Sequence, residues 1–313
     1  MTTTKTLRQQ FADTMFEVGL EDPRLVVLVG DISHFILQPF AKACPGRYYN
    51  VGICEPTIMS MAAGLAKAGL VPVVHTIAPF LIERSFEQIK LDFCYQRLPG
   101  NIITVGSAFD YANLGCTHHC YGDFALLKTL PGVEIVSLGS AVEFETLFRQ
   151  TYGNGALTVF RLAAQQHRWP LEASGIRFGE GIKVTDGRNL TIVATGPQLD
   201  TALGARDTLR ERGWETEVLY IHTIRPLDTA LIRASAGKTR RVLVVEEHMR
   251  SGGLGDDVLR ATRDMDGVRC ASLAIPDRFV TEYGSYRDHC EALGLTVGGL
   301  LDRVGTEFGF RAP

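Results

Sequence analysis

Three places along the chain combine residue types able to do chemistry. The first is Glu55, set between Gly52-Ile53-Cys54 and Pro56-Thr57-Ile58-Met59-Ser60-Met61-Ala62-Ala63-Gly64-Leu65. A residue before proline is pushed out of the α region, whereas proline suits the first helical position, where its missing N–H would be unpaired anyway. Glu55 is therefore held where an extended segment meets an apolar helix, a position from which a carboxyl group can give or take a proton. A helix-start carboxylate facing water, favoured by the helix dipole, has the same pattern. The second place is a loop that gathers Asp110, Tyr111, Asn113, His118, His119 and Tyr121, with Cys116 and Cys120 beside the histidines. Histidines there could move protons near neutral pH. A metal cluster would need a second ligand pair of matching spacing, and the sequence offers none, so no metal ligands are expected in this chain. The third is Asp31, just after the β-branched run Arg24-Leu25-Val26-Val27-Leu28-Val29-Gly30. Ligands of open α/β sheets bind outside the carboxyl ends of the strands, although Asp31 could equally cap the next helix.

These residues have to be positioned by an alternation of helices and strands. Leu7, Phe11, Met15 and Val18 share one helical face, and the run at 24–30 reads as a strand covered on both sides. Strands follow at 71–75, 101–105, 133–136 and 157–160, the last ending in Arg161. Between them lie helices over 123–130 and 141–152, and a long helix from Phe80 to Arg97 carrying Phe80, Phe86, Ile89 and Phe93. Such alternation predicts a parallel, doubly wound sheet. Periodicity then lapses into a linker and resumes with strands at 190–196, 216–220 and 242–246, and helices over 199–212 and near 228–235. Gly252-Gly253-Leu254-Gly255 opens a further helix, but it is not G-x-G-x-x-G and reads as close backbone packing.

With 313 residues, 45% apolar and 21% charged, the chain can bury two cores. The net charge of −3 without basic runs speaks against nucleic acid or an anionic membrane as partner. Seven scattered cysteines do not form a disulfide framework. There is neither a signal-peptide core nor a run of membrane-spanning length, so a cytoplasmic protein is expected.

Together, Tyr49-Asn50-Val51-Gly52-Ile53-Cys54-Glu55, Ala62-Ala63-Gly64-Leu65, Phe80 through Gln88, Gly115-Cys116-Thr117-His118, His222-Thr223-Ile224-Arg225-Pro226-Leu227-Asp228, and Glu246-Glu247-His248 with Gly252-Gly253-Leu254-Gly255 resemble the transketolase family of thiamine diphosphate enzymes. The resemblance covers nearly the whole chain. It implies a pyrimidine-binding domain over 1–165, a linker over 166–182 and a transketolase C-terminal domain over 183–313. Both domains would be doubly wound α/β with mainly parallel sheets. The family's diphosphate-binding domain carries Gly-Asp-Gly and a later Asn that hold the metal, and no Gly-Asp-Gly occurs here. The resemblance therefore implies the β-type subunit of a split transketolase. Its partner subunit would bind the diphosphate through Mg²⁺ (or Ca²⁺), an α2β2 assembly is expected, and the substrate would be a small sugar.

By the same resemblance, Glu55 hydrogen-bonds the cofactor's aminopyrimidine and favours its imino form, and burial of the acid against apolar walls would suit that role. Phe80 and Phe86 match the aromatic wall around that ring, and Asp31 an acid near the cofactor. Thr117 and His118 match Gly-x-Thr-His, whose histidine touches substrate hydroxyls and shuttles protons. Arg8 and Arg161 fall where sugar-phosphate enzymes place arginines on the terminal phosphate. Two departures matter. The family's further substrate histidine and aspartate have no counterpart in Gly106-Ser107-Ala108-Phe109-Asp110-Tyr111-Ala112-Asn113-Leu114, and His34, His75 and His119 occur where the family has no histidine. A donor other than an ordinary pentose phosphate, in unusual-sugar or nucleotide-sugar biosynthesis, is therefore expected, with the three histidines as candidate substrate contacts. The competing readings are a 2-oxoacid dehydrogenase β subunit, whose loop reads His-Ser-Gln at 117–119, a 1-deoxyxylulose-phosphate-type synthase, normally one long chain, and a non-catalytic regulatory subunit. Retention of Glu55, Thr117 and His118 speaks against the last.

Overall fold

The run Leu25–Val29 is buried at every position, as a strand without polar alternation must be when both faces of its sheet are covered. It forms β1 in the computed structural model, which describes residues 5–309. The outer ends of both expected domains lie outside those residues. Further strands are β2 (Tyr48–Asn50), β3 (Val71–Ile77), β4 (Gly100–Val105), β5 (Val133–Leu138), β6 (Leu157–Leu162), β7 (Ile182–Thr185), β8 (Leu190–Ala194), β9 (Thr216–Tyr220), β10 (Thr223–Arg225), β11 (Arg241–Met249) and β12 (Arg269–Ile275). They build two sheets, ordered β10-β5-β6-β4-β3-β1-β2 and β12-β11-β8-β9-β7. Each is parallel except at one edge, where β10 runs antiparallel to β5 and β7 to β9. The expected α/β layout is thus present, and β10 crosses from the second half of the chain to finish the sheet of the first.

The helices are α1 (Leu7–Glu21), α2 (Gln38–Ala43), α3 (Glu55–Lys67), α4 (Phe86–Gln88), α5 (Asp123–Lys128), α6 (Ala141–Thr151), α7 (Leu199–Glu211), α8 (Thr229–Thr239), α9 (Leu254–Thr262), α10 (Tyr286–Leu293) and α11 (Val297–Phe308). The single long helix expected over 80–97 is replaced by π-helical turns at Pro79–Glu83 and Ile89–Tyr95 flanking α4. Each π turn takes an extra residue, which preserves an apolar stripe while rotating the side chains that follow. Ser85, at ψ 18°, marks the break, and its hydroxyl donates to the Phe80 carbonyl at 3.3 Å. Among the described residues no helix is long and apolar enough to cross a membrane.

Apolar contact is continuous between the halves. One buried cluster runs from Val26, Ile58 and Ile102 to Val193, Leu219 and Val244. Two polar knots reinforce it. Arg161, at the end of β6, pairs through Nε with Asp123 at 2.9 Å, donates to the carbonyls of Cys120 (3.3 Å) and Glu247 (2.9 Å), and lies 4.7 Å over Phe124. Glu143 of α6 accepts from the Gly139 amide, from Ser140, from the Tyr220 hydroxyl of β9, and from His167 in the intervening segment. Burial pushes the Glu143 carboxyl up, but the His167 bond and the other donors outweigh it and hold the carboxyl below its ordinary range.

Candidate active site

Glu55 and Pro56 open α3, with the proline in the first turn, where its missing N–H costs nothing, and Cys54 before them leaves the helix at φ −148° and ψ 63°. Glu55 is thereby turned inward and is 1% exposed. Its Oε2 accepts from Arg84 Nη1 at 2.9 Å. Arg84 leaves the first π turn half-exposed, and its guanidinium lies 4.4 Å over the Phe80 ring. On the other side, Phe80 meets His118 edge-to-face at 5.1 Å, and His118 meets Tyr111 at 5.9 Å. His118 Nδ1 is 3.0 Å from Thr117 Oγ1, which leaves Nε2 to face a substrate. A buried carboxyl, an aromatic face and an imidazole thus stand in a row, Glu55 linked to Phe80 through Arg84 and Phe80 to His118 directly.

The His118 loop is closed at its base by a bridge between Ala108 and Cys120. Gly106, at φ +79°, lets Tyr111 pack where a Cβ would come within 2.4 Å of its ring. Gly115, at φ +76°, similarly admits Tyr283 from the second half. Asp110 is an internal strut, accepting from the amides of Ser107 (2.9 Å) and Ala164 (2.8 Å). Burial, reinforced by the charge of Glu247, pushes its carboxyl up to about 7. Among the described residues no three His, Cys, Asp or Glu side chains are placed to hold a metal ion.

The sequence profile of the transketolase pyrimidine binding domain matches residues 3–168, and that of the transketolase C-terminal domain matches residues 179–299. The chain belongs to the transketolase family. It is 33% identical to a subunit of the apulose-4-phosphate transketolase of Phocaeicola vulgatus, over 89% of this chain and 90% of that one. It is 32% identical to 1-deoxy-D-xylulose-5-phosphate synthase of Heliobacterium modesticaldum, covering 96% of this chain but 47% of the synthase, so it spans about half the length of that relative. Among solved structures, one titled split gene transketolase, inactive beta4 tetramer, superposes with a TM-score of 0.89 at 28% identity, covering 98% and 99% of the two chains. Of the site residues that the transketolase resemblance implies, Glu55, Phe80, Thr117 and His118 lie near one another in the structure.

Others expected at a transketolase site have their contacts elsewhere or at its edge. Asp31 is exposed on the loop after β1, its amide donating to Asn50 Oδ1 at 3.1 Å. Arg8 donates to Ser33 Oγ at 2.9 Å and is close enough to Tyr111 to act on its phenol, which puts it at the rim. His34 is half-buried, its ring 4.1 Å from that of Phe35. Phe86 is half-buried and packs on the core shared by the two halves. Arg161 is buried in its knot with Asp123. His119 is buried and lines a cleft between the halves. Arg84 was missed, although Phe80 and Arg84 at i and i+4 carry the spacing at which helical neighbours meet.

His75, expected to touch substrate, is fully buried. It takes 2.8 Å from Ser33 Oγ at Nε2 and places Nδ1 2.9 Å from the Ile103 carbonyl, which makes Nδ1 the protonated nitrogen. Burial lowers its pKa to about 3, with Arg8 adding to the effect and the Ile103 bond opposing it. The unfolded value is about 6.5, so the unfolded chain binds the extra proton: this contribution is intact above about pH 6.5 and is lost as pH falls toward 3, by up to about 1.4 kcal/mol per unit. Asp110 and Glu246, both pushed up to about 7 chiefly by burial, act in the opposite sense over part of this range. The check is therefore a difference: in urea unfolding from pH 7 to 5, His75→Asn should lose stability less steeply than the unaltered chain.

Proposed function

We propose that this chain is the β-type subunit of a split transketolase, moving a two-carbon ketol unit between sugars with thiamine diphosphate. The observation that carries the reading is the seat of Arg84. A planar, donor-bearing group stacked on Phe80 and hydrogen-bonded to Glu55 makes the contacts an aminopyrimidine ring would make, so the residues present fit that part of the cofactor. When bound, thiamine diphosphate supplies a nucleophilic carbon that can carry the transferred unit. Glu55 holds a proton at its carboxyl against the ring nitrogen, in a site that excludes water. Phe80 presents the flat wall, and His118 exchanges protons with substrate hydroxyls through Nε2, oriented by Thr117.

The diphosphate, with Mg²⁺, would be held by a partner chain carrying Gly-Asp-Gly, a motif this sequence lacks. The relative from Phocaeicola vulgatus is itself called a subunit, which supports a partner here. The exposed apolar residues Ile53, Met61, Leu91 and Tyr95 beside α3 suit docking of that partner in an α2β2 assembly. The seclusion of Arg161 supports a donor other than an ordinary pentose phosphate, in keeping with a relative named for a less common sugar. The proposed organisation keeps a linker at 166–182 and a cytoplasmic setting. The test mixes the two purified chains with thiamine diphosphate and Mg²⁺ and screens ketose donors by product mass. Turnover is expected only with both chains and the cofactor. Cofactor binding without turnover of any donor would refute the enzyme reading, and full-speed turnover of common pentose phosphates would refute the choice of donor.

A further inference from the structure

A cleft of about 480 Å³ opens between the two halves, walled by Glu83, Cys116, His119 and Tyr121 on one side and by Asp277 and Phe279 on the other. It borders the catalytic residues. Glu83 directly precedes Arg84, and Cys116 and His119 flank Thr117-His118, so a molecule held at His118 can extend into it. His119 is 4% exposed, and neither of its ring nitrogens has a hydrogen-bond partner among the described residues. Buried imidazoles are ordinarily bonded, and this one lines open space. Burial lowers its pKa to about 4, with His289 and His118 adding to the effect, so at neutral pH the ring offers one donor and one acceptor. A sugar hydroxyl, which gives one hydrogen bond and takes another, complements that pair.

The charges in the cleft select further. Arg278, the cation among its lining residues, is paired with Glu282 at 3.2 Å, while Glu83 and Asp277 are carboxylates. A phosphate would meet acidic groups and no free cation among those residues. Phe279, 73% exposed, and Tyr121 supply aromatic surface of the kind that lies against the C–H face of a sugar. We infer that this cleft is a subsite for the uncharged, polyhydroxylated end of the acceptor sugar, with His119 as the residue that selects it. This rests on the transketolase reading above.

The test uses the assembled, cofactor-loaded enzyme with two uncharged aldehydes, glycolaldehyde and D-ribose. The second is long enough to reach past His118. His119→Leu should lower the ribose-to-glycolaldehyde ratio of kcat/KM about tenfold, through KM for ribose, and His119→Gln should recover part of the loss. Phe279→Ser, a change to an exposed ring, should shift the ratio in the same direction and serves if His119→Leu does not fold. An unchanged ratio in His119→Leu and Phe279→Ser would overturn the inference. So would an equal loss in the leucine and glutamine variants, since bulk rather than hydrogen bonding would then be at work. If the unaltered enzyme transfers to neither aldehyde, the functional reading is decided by the donor screen above. The subsite is then decided by calorimetric titration of the complex with D-ribose: binding weakened in His119→Leu supports it, and absent or equal binding overturns it.

Discussion

In the assembled, cofactor-loaded enzyme, Glu55→Gln is expected to lower kcat by about a hundred- to ten-thousand-fold, the range of a positioned proton-transfer group. The substitution keeps the shape of the side chain, and its amide can still offer the ring a donor or an acceptor. What it removes is an exchangeable proton at a buried point. The alternative, that Glu55 only complements the N-terminus of α3, predicts something else: a stability change of about 0.3–1 kcal/mol and turnover intact. Steady-state rates with melting temperatures separate the two. Calorimetric affinity for thiamine diphosphate should change far less than kcat. Full turnover in the variant would remove Glu55 from the chemistry.

The second large effect is on stability. Arg161→Leu should destabilise the fold by about 3–5 kcal/mol, because it leaves a buried carboxylate without its partner. Asp123 is already pushed up by burial, with Arg161 the main opposing influence. Without the guanidinium that carboxyl must take up a proton or draw in water, and the carbonyls of Cys120 and Glu247 lose a donor. A stability of about 5–15 kcal/mol is usual for a domain, so the loss should be plain in the urea midpoint. The double variant Arg161→Leu/Asp123→Leu removes both charges and should recover much of the loss. A single variant that unfolds like the unaltered chain would show Arg161 to be dispensable to the knot.

The sequence was most legible where burial is complete on both faces. Strands β1, β3, β4, β5, β6, β8, β9 and β11 carry β-branched or apolar runs that only a covered sheet explains. By contrast β2, β7, β10 and β12 were not foreseen. They are short or mixed, and they lie at sheet edges, where one side needs no apolar partner. Glu55 could be placed because Pro56 constrains the backbone locally. Arg84 had no such local constraint, because its spacing from Phe80 is one that any pair of helical neighbours shares. Arg161 and His75 misled for a related reason. A polar residue on or at the end of a parallel strand can face a ligand or a neighbouring half of the same chain, and the contacts that decide, Asp123 with Glu247 for one and Ser33 with Ile103 for the other, are remote in sequence.

The antiparallel edge strand β10 also orders events during synthesis. The first sheet has its last local strand when Leu162 emerges, yet the edge of β5 stays unpaired until Thr223–Arg225 follows, about 60 residues and roughly 3–12 s later at typical ribosomal rates. During that interval the nascent chain displays a bare strand edge, a template for pairing with other chains. A gene fragment ending at the linker would make the interval permanent and should yield insoluble protein, whereas one extended past Arg225 closes the edge.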